Sequence, residues 1–270
     1  MSRLAMGPAL LFCPGDRPDR YRKAADRSDA VILDLEDAVT PELKPEARRM
    51  LVTGDVLDPA RTIVRVNAVS TEFFEDDLVA LAQTPYRTVM LAKTSGPVDV
   101  ARLAGYDVVT LIETAVGLAH VAEIAAAPNV VGLMWGAEDL VASLGGTSSR
   151  LPDGRYRDVA VHARAATLVA AGANGKAAID AVHLDLDDLE GVAAEAADAA
   201  ASGFAATACL HPSHVPGIRA AYRPTAGELE WARAVLAAAE GERGAFRWDG
   251  RLVDGPVLKH AAELVRRAGG

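Results

Sequence analysis

Two carboxylates in this sequence follow apolar runs of strand length, a position that suits chemistry better than stability. Glu113 comes directly after the run 108–112, and Asp139 follows the run 130–135 after a short break. Parallel α/β proteins bind ligands at the carboxyl ends of their strands, so both side chains are expected at one edge of a sheet. Two such carboxylates, completed by water and ligand oxygens, suit Mg²⁺, and no Cys/His cluster offers a softer metal a site. The alternative is that these acids are helix N-caps or first-turn charges.

Arg65 is a charged residue inside the run 62–66, whose other members are all β-branched. Burying a guanidinium is costly unless an anion meets it, and a substrate carboxylate would be a fitting bidentate partner. An internal ion pair with Asp34 or Glu36 is the alternative. The two interpretations are compatible, because an internal carboxylate could orient Arg65 while the guanidinium also binds the substrate carboxylate.

Two further stretches carry charges whose role the residues alone leave open. The segment 14–23 places four cations after the first apolar run, among them Arg20 and Lys23, and is a candidate cradle for coenzyme phosphates. It has no Walker A or GxGxxG pattern, and a solvated first helix turn is the alternative. Near the other end of the chain, Asp254 precedes Gly-Pro, which makes it a helix N-cap by default. On a lid, the same residue could be delivered into an active site.

The elements that must position these side chains alternate in a regular way. Eight apolar runs of strand length occur at 9–13, 30–35, 62–66, 88–91, 108–112, 130–135, 178–182 and 206–210. Most are separated by Ala-, Leu- and charge-rich segments long enough for a helix, which indicates βαβ units and a parallel sheet. With 270 residues, the pattern predicts a closed (β/α)8 TIM barrel, an α/β fold, with a doubly wound open sheet as the alternative. In a barrel, the charged residues after the strands converge on one mouth.

Past Pro212 the alternation stops. Helical patterns at about 226–240 and 256–267 flank a short extended piece between glycine-containing turns. This tail is surplus to a barrel. The sequence therefore predicts a barrel over 1–215 and a C-terminal helical lid or arm over 216–270, which could cover the mouth of its own chain or of a neighbour.

Composition excludes several classes of function. The formal net charge is −9 without long Lys/Arg runs, so nucleic acid is not expected as a partner. No stretch reaches 18 apolar residues and no signal-peptide pattern opens the sequence, so we expect a cytoplasmic protein without a membrane segment. Cys13 and Cys209 lie in apolar runs without a CxxC spacing, which predicts buried reduced thiols rather than a disulfide.

Seven short motifs, in order along nearly the whole chain, match a known family. They are Leu11-Phe12-Cys13-Pro14-Gly15-Asp16, Leu33-Asp34-Leu35-Glu36-Asp37, Val64-Arg65-Val66-Asn67, Ile112-Glu113-Thr114-Ala115, Gly136-Ala137-Glu138-Asp139-Leu140, Leu144-Gly145-Gly146-Thr147-Ser148-Ser149 and Val253-Asp254-Gly255-Pro256. The chain resembles the citrate lyase beta-subunit-like proteins of the HpcH/HpaI aldolase superfamily, which includes malyl-CoA and citramalyl-CoA lyases.

The resemblance implies a Mg²⁺-dependent carbon–carbon lyase. Such an enzyme cleaves, or forms, a 3-hydroxyacyl-CoA thioester, giving acetyl-CoA or another acyl-CoA and a 2-oxo acid such as oxaloacetate. It also implies site roles: metal ligands Glu113 and Asp139, carboxylate clamp Arg65, nearby support Glu36, substrate-lining Gly136 and Ala137, coenzyme phosphate contacts Arg20 and Lys23, and a lid acid, Asp254, that moves a proton. Relatives form trimers or hexamers with the lid crossing to the next subunit, so a homotrimer or hexamer is expected.

Two rival hypotheses remain open from the sequence. The first is the beta subunit of a citrate lyase complex, which acts on a citryl thioester carried by an acyl carrier protein. The second is a non-catalytic barrel subunit, against which the intact set of charged residues argues. The loop Ala92-Lys93-Thr94-Ser95 lacks the proline and the acid that relatives often have after the fourth strand, so the resemblance assigns this loop no role.

Overall fold

A computed structural model describes residues 6–269, in which eight parallel strands close into a barrel in chain order, β1 to β8. The strands are β1 Ala9–Pro14, β2 Ala30–Asp34, β3 Thr62–Val66, β4 Thr88–Leu91, β5 Asp107–Ile112, β6 Val130–Trp135, β7 Ala177–Asp180 and β8 Ala206–Cys209. The helices between and after them are α1 Pro18–Arg27, α2 Lys44–Thr53, α3 Phe74–Leu81, α4 Pro97–Ala101, α5 Ala115–Ala119, α6 Val121–Ala126, α7 Ala137–Ser143, α8 Asp158–Ala173, α9 Leu189–Ser202 and α10 Val215–Tyr222. The predicted (β/α)8 barrel is thus confirmed.

The period-2 geometry of the strands decides which side chains enter the barrel. Ile32, Ile63 and Leu111 belong to the apolar cluster that fills it. Residues two apart on a strand share a face, so Asp34 and Arg65 point the same way one step further toward the carboxyl ends. The apolar layers below these charged residues are packed and buried. The barrel interior is therefore filled with apolar side chains, and charged side chains lie at its mouth, where the strands end.

Strand ends differ slightly from the predicted runs. The seventh strand is Ala177–Asp180 rather than 178–182. It leaves the ladder after Asp180, whose carboxylate is held by Trp135 Nε1 at 2.6 Å and by Arg164 Nη2 at 2.9 Å. After Asp180 the chain is held by these side-chain contacts and no longer by pairing with the neighbouring strands. The apolar run 178–182 does not predict this change.

The chain divides into two compact units, one ending at Ile218 and the other beginning at Arg219, compared with the predicted boundary after residue 215. In the second unit, α11 Ala226–Ala238 packs with α12 Gly255–Ala268, and two short strands, β9 Phe246–Trp248 and β10 Arg251–Val253, pair antiparallel. Thr225 and Glu228 form a capping box at the start of α11. The predicted extended piece is therefore a hairpin.

A small apolar core holds the second unit together. It contains Ala232, Val235, Val253, Ala261 and Leu264. Within residues 6–269, no helix has the length and apolar character needed to cross a membrane.

Candidate active site at the barrel mouth

The Arg65 guanidinium is buried at the end of β3 against the last residue of β2. Its Nε and Nη2 donate to the two carboxylate oxygens of Asp34 at 2.7 and 2.6 Å. The ring of Phe12 lies 4.9 Å from the guanidinium carbon. Burial alone would lower the pKa of Arg65, but Asp34 raises it above its ordinary value, so the charge is kept. The internal ion pair that the sequence offered as an alternative is present.

Asp34 also fixes the turn that follows β2. Its Oδ1 accepts from the backbone N–H of Glu36 at 2.9 Å, and its Oδ2 accepts from that of Ala38 at 3.1 Å. The turn places Glu36 Oε2 at 3.1 Å from Arg65 Nη1. Two N–H groups of the guanidinium thus donate to Asp34, and Glu36 supplies a second negative charge beside it.

Lys93, two residues after the end of β4, connects Glu36 with Glu113, which follows β5. Its backbone φ of 49° lies in the left-handed region, which is unusual for a residue with a side chain. The backbone N–H donates to Glu113 Oε1 at 2.9 Å, while the ammonium bonds Glu36 Oε1. The same ammonium lies 3.3 Å from Asp37 Oδ2 and 3.5 Å from Asp139 Oδ1. Lys93 therefore contacts four acids that follow three different strands: Glu36, Asp37, Glu113 and Asp139.

Glu113 is 3% exposed, directly after β5, and packs against Gly136, the residue that precedes α7. A Cβ at Gly136 would lie 2.8 Å from Glu113 Oε2 and 2.9 Å from Glu113 Cβ, so only glycine allows this approach. Burial raises the pKa of Glu113 to about 8, and the nearby Asp139 carboxylate adds to the effect. Glu113 is an acid that lacks a sufficient positive partner within the protein.

The charge balance of the mouth is negative. Five carboxylates, those of Asp34, Glu36, Asp37, Glu113 and Asp139, are accompanied by three cationic side chains, Arg65, Lys93 and the buried Lys44, whose ammonium donates to the backbone carbonyls of Leu35 and Glu36. Among the residues described, Glu113 Oε2 accepts no hydrogen bond. Hard oxygen donors with an excess of negative charge fit a divalent cation such as Mg²⁺.

The described part of the chain contains no group of three or more His, Cys, Asp or Glu side chains that could hold a metal alone. This agrees with a Mg²⁺ site of two carboxylates, because Mg²⁺ keeps several waters and takes further oxygens from its substrate.

The structure brings together most, but not all, of the residues predicted for the site. Ala137 is buried at the first position of α7, next to Gly136. Arg20 and Lys23 are exposed on α1, and neither forms a side-chain hydrogen bond with another residue in the range 6–269. Asp254 belongs to the second unit, where it caps α12 by accepting from the backbone N–H of Val257 at 3.4 Å. Glu138, which precedes Asp139, is exposed and accepts a hydrogen bond from the Ser149 hydroxyl.

Sequence reasoning gave no role to Lys93, although the same signal that identified Glu113 was present. Lys93 is among the first polar residues after its strand, as Glu113 is. Its long side chain crosses the mouth from β4 to acids that follow β2 and β6. Only the closed sheet brings those strands within its reach.

The cysteines have no part in the site. Cys13 and Cys209 are free and buried, which confirms the prediction of reduced thiols.

Comparison with known proteins places this geometry in a family. The model of the HpcH/HpaI aldolase/citrate lyase family matches residues 9–106 and 102–212. A citrate lyase subunit beta-like protein of Mycobacterium tuberculosis is 56% identical over 269 residues, which cover 100% of this chain and 98% of the relative. The mitochondrial citramalyl-CoA lyase of Homo sapiens is 30% identical over 293 residues, which cover 96% of this chain and 85% of that enzyme.

Solved structures agree with this placement. CitE from Mycobacterium tuberculosis, in complex with magnesium, acetoacetate and coenzyme A, superposes with a TM-score of 0.95 at 56% identity, covering 99% of this chain and 100% of that one. A citrate lyase beta subunit from the same organism, with oxaloacetate and magnesium, gives a TM-score of 0.81 at 56% identity over 82% of this chain and 99% of that one. The family model, the relatives and the fold point the same way, and the protein therefore belongs to the HpcH/HpaI aldolase/citrate lyase family, as its motifs indicated, and to the lyase class of enzymes.

Proposed function

We propose that the protein is a Mg²⁺-dependent lyase that cleaves, or forms, the carbon–carbon bond of a 3-hydroxyacyl-CoA thioester such as malyl-CoA or citramalyl-CoA. The products of cleavage are acetyl-CoA or another acyl-CoA and a 2-oxo acid. The observation that carries this proposal is the buried Glu113 carboxylate, which has the Asp139 carboxylate and the Arg65 guanidinium among its charged neighbours.

Glu113 and Asp139 would hold the metal. When bound, Mg²⁺ would serve as Lewis acid and as template for the oxygens of the substrate. Support comes from the excess of carboxylates at the mouth and from the magnesium in the solved structures of the Mycobacterium tuberculosis proteins.

Arg65 would bind the carboxylate that becomes part of the 2-oxo acid. Asp34 and Glu36 hold the guanidinium from behind, so its orientation is fixed before the substrate arrives. Fixing one end of the substrate is a positioning effect, which lowers the barrier by holding the reacting bond in one geometry. Gly136 and Ala137 would line the same pocket from the start of α7.

A lysine Schiff base, the other common way to activate a 2-oxo acid, is poorly supported at this mouth. The amine must be neutral to attack a carbonyl. Burial would lower the pKa of Lys93, but its hydrogen bond with Glu36 raises that pKa above its ordinary value. Lys93 is therefore held as an ammonium, which favours metal chemistry.

In cleavage the substrate hydroxyl loses its proton and becomes a carbonyl, while the thioester fragment leaves as an enolate and gains a proton at its α-carbon, so that one proton is moved overall. We assign this proton transfer to Asp254 of the second unit, with that unit acting as a lid that excludes water. In a homotrimer or hexamer, Asp254 would act on the neighbouring subunit. Arg20 and Lys23, both exposed on α1, would contact the phosphates of coenzyme A.

A second candidate keeps the same chemistry and changes the carrier of the thioester. The 56% identical relative is a citrate lyase subunit beta-like protein, and a related structure holds oxaloacetate, the oxo acid released from a citryl thioester. In that case the partner would be an acyl carrier protein instead of free coenzyme A. The charged site argues against a third possibility, a non-catalytic barrel, since a silent subunit does not need buried acids at its mouth.

The experiment that tests the proposal is an assay of the purified protein with malyl-CoA, citramalyl-CoA and 3-hydroxy-3-methylglutaryl-CoA. Oxo acid and free thiol are measured separately, with Mg²⁺ and with EDTA. We expect Mg²⁺-dependent formation of oxo acid from at least one thioester, and a loss of at least about 100-fold in Glu113→Gln.

Glu138→Gln is the matched control, because Glu138 is exposed and its carboxylate accepts a hydrogen bond from the Ser149 hydroxyl. Thiol without oxo acid would identify a thioesterase. If none of the thioesters reacts while the protein still binds Mg²⁺ and oxaloacetate, the carrier-protein substrate is favoured.

A further inference from the structure

Lys93 contacts residues of both parts of the proposed site, the Arg65 carboxylate contact and the metal ligands. Its ammonium bonds Glu36, which supports Arg65, and lies 3.5 Å from Asp139, a proposed metal ligand. We propose that the Lys93 ammonium is an internal counter-ion that shares Asp139 with the divalent cation and weakens cation binding to the free enzyme. This inference rests on the metal site of the proposed function.

The backbone of Lys93 shows that a side chain is kept at an unfavourable position. With a φ of 49°, glycine would occupy the site with less strain. The neighbouring residues hold this conformation: Thr94 is 1% exposed, its backbone N–H donates to Leu111 at 3.2 Å and its hydroxyl donates to Leu91 at 2.8 Å. The turn therefore holds a conformation that costs energy for a lysine, and it presents a side chain that glycine lacks.

The contacts of the ammonium match its chemistry. A lysine has three N–H donors, and three carboxylates surround this one. Glu36 is the nearest, Asp37 Oδ2 is at 3.3 Å and Asp139 Oδ1 is at 3.5 Å. Asp139 is the weakest of these contacts, and its side chain is 38% exposed. It is thus the acid that a stronger cation would most easily take from Lys93.

A positive charge next to Asp139 repels a cation that binds to the same carboxylate. The divalent ion would then bind weakly to the free enzyme, and tightly once the oxygens of an anionic substrate join its coordination. Metal and substrate would enter the site together. In the absence of both, Lys93 supplies a counter-charge to Asp139.

The test is a titration of the metal-free, full-length protein with Mn²⁺, in which free Mn²⁺ is measured by electron paramagnetic resonance. Neutral Lys93→Met is expected to bind Mn²⁺ about tenfold more tightly than the wild type, because a like charge is removed. Lys93→Arg keeps the charge and should stay within about twofold of the wild type. Unchanged or weaker binding by Lys93→Met would overturn the proposal, since a residue that only holds Asp139 in place would weaken binding when removed.

Two controls separate the possible causes of failure. Lys176→Met removes one positive charge at the opposite end of the barrel, just before β7, and should leave Mn²⁺ affinity unchanged. Lys93→Gln is a second neutral variant that keeps polarity, and it carries the same expectation if Lys93→Met does not fold. If the wild-type protein binds no Mn²⁺, or if Glu113→Gln binds it equally well, the proposed metal site itself is wrong. If the site binds Mn²⁺ and the neutral variants do not bind it more tightly, only the role of Lys93 is wrong.

Discussion

At the scale of single residues, the site depends on pairing charges that the fold has buried. Arg65 lies in a strand with apolar neighbours, and removing its charge from water is tolerable only because Asp34 faces it at 2.6–2.7 Å. Asp34 also accepts two backbone N–H groups of the following turn. The pair therefore supports the fold and orients the proposed substrate contact at the same time.

Asp34→Ala should destabilise the protein strongly, because it leaves the Arg65 guanidinium buried with only Glu36 as a counter-charge. We expect a loss of about 3–5 kcal/mol in the free energy of unfolding, measured by urea denaturation. Asp153→Ala breaks an exposed pair with Arg155 at 2.8 Å and should cause no measurable loss. Equal effects of the two substitutions would show that the buried pair does not stabilise the fold.

The two thiols should be unreactive in the native protein. Burial raises the pKa of both Cys13 and Cys209 to about 12, so roughly one thiol in ten thousand is ionised near pH 8. Labelling with a thiol-specific disulfide reagent should be at least about 100-fold slower in buffer than in guanidinium chloride. Rapid reaction of either cysteine with the folded protein would contradict its burial.

At the scale of elements, the site is built where β5 and β6 end side by side. Five registered pairs align the two strands, and the last joins Ile112 to Trp135, so Glu113 and Gly136 are neighbours. Trp135 is held in turn by Asp180 at the end of β7. The missing side chain at position 136 leaves the space in which the Glu113 carboxylate lies.

Gly136→Ala should therefore impair metal binding while the fold is kept. The new Cβ would lie 2.8 Å from Glu113 Oε2, and the carboxylate would have to move. We expect Mn²⁺ affinity to fall by about tenfold or more. Gly172→Ala, in α8, meets no heavy atom within 4 Å and is the matched control, with Mn²⁺ affinity unchanged. Unchanged affinity in Gly136→Ala would mean that Glu113 does not bind the metal in this position.

At the scale of the whole molecule, the chain consists of a barrel unit and a smaller helical unit that begins at Arg219. The barrel holds the proposed metal and carboxylate sites, and the smaller unit holds Asp254. The proton transfer proposed for Asp254 therefore depends on the proposed role of the smaller unit as a lid.

Asp254→Asn should lower kcat by about 100-fold with a smaller effect on KM, because a proton transfer is lost while binding groups remain. Asp254→Asn and Glu113→Gln should each keep no more than about 1% of the wild-type activity alone. If Asp254 acts on a neighbouring subunit, mixed oligomers of the two variants should regain activity. A drop in thermal stability without loss of kcat would show that Asp254 is only the N-cap of α12.

The sequence by itself determined the barrel and the acids at its mouth. Strand formation is a local property of short apolar runs between helical segments, and the first polar residues after such runs lie at the carboxyl ends. For this reason Glu113 and Asp139 could be selected as candidates from the sequence, whereas Arg65 was selected as a charge inside a β-branched run. The family motifs supplied their expected roles.

Only the tertiary structure decided which charges pair. Lys93 and Glu36 are 57 residues apart, and Arg65 and Asp34 are 31 apart, so closure of the barrel sets both distances. The strand pattern predicts which polar residues follow each strand. Which acids the Lys93 ammonium contacts across the mouth depends on how the strands are arranged in the closed barrel. The excess of carboxylates over cations at the barrel mouth arises from these non-local contacts. The order of residues along the chain does not predict it.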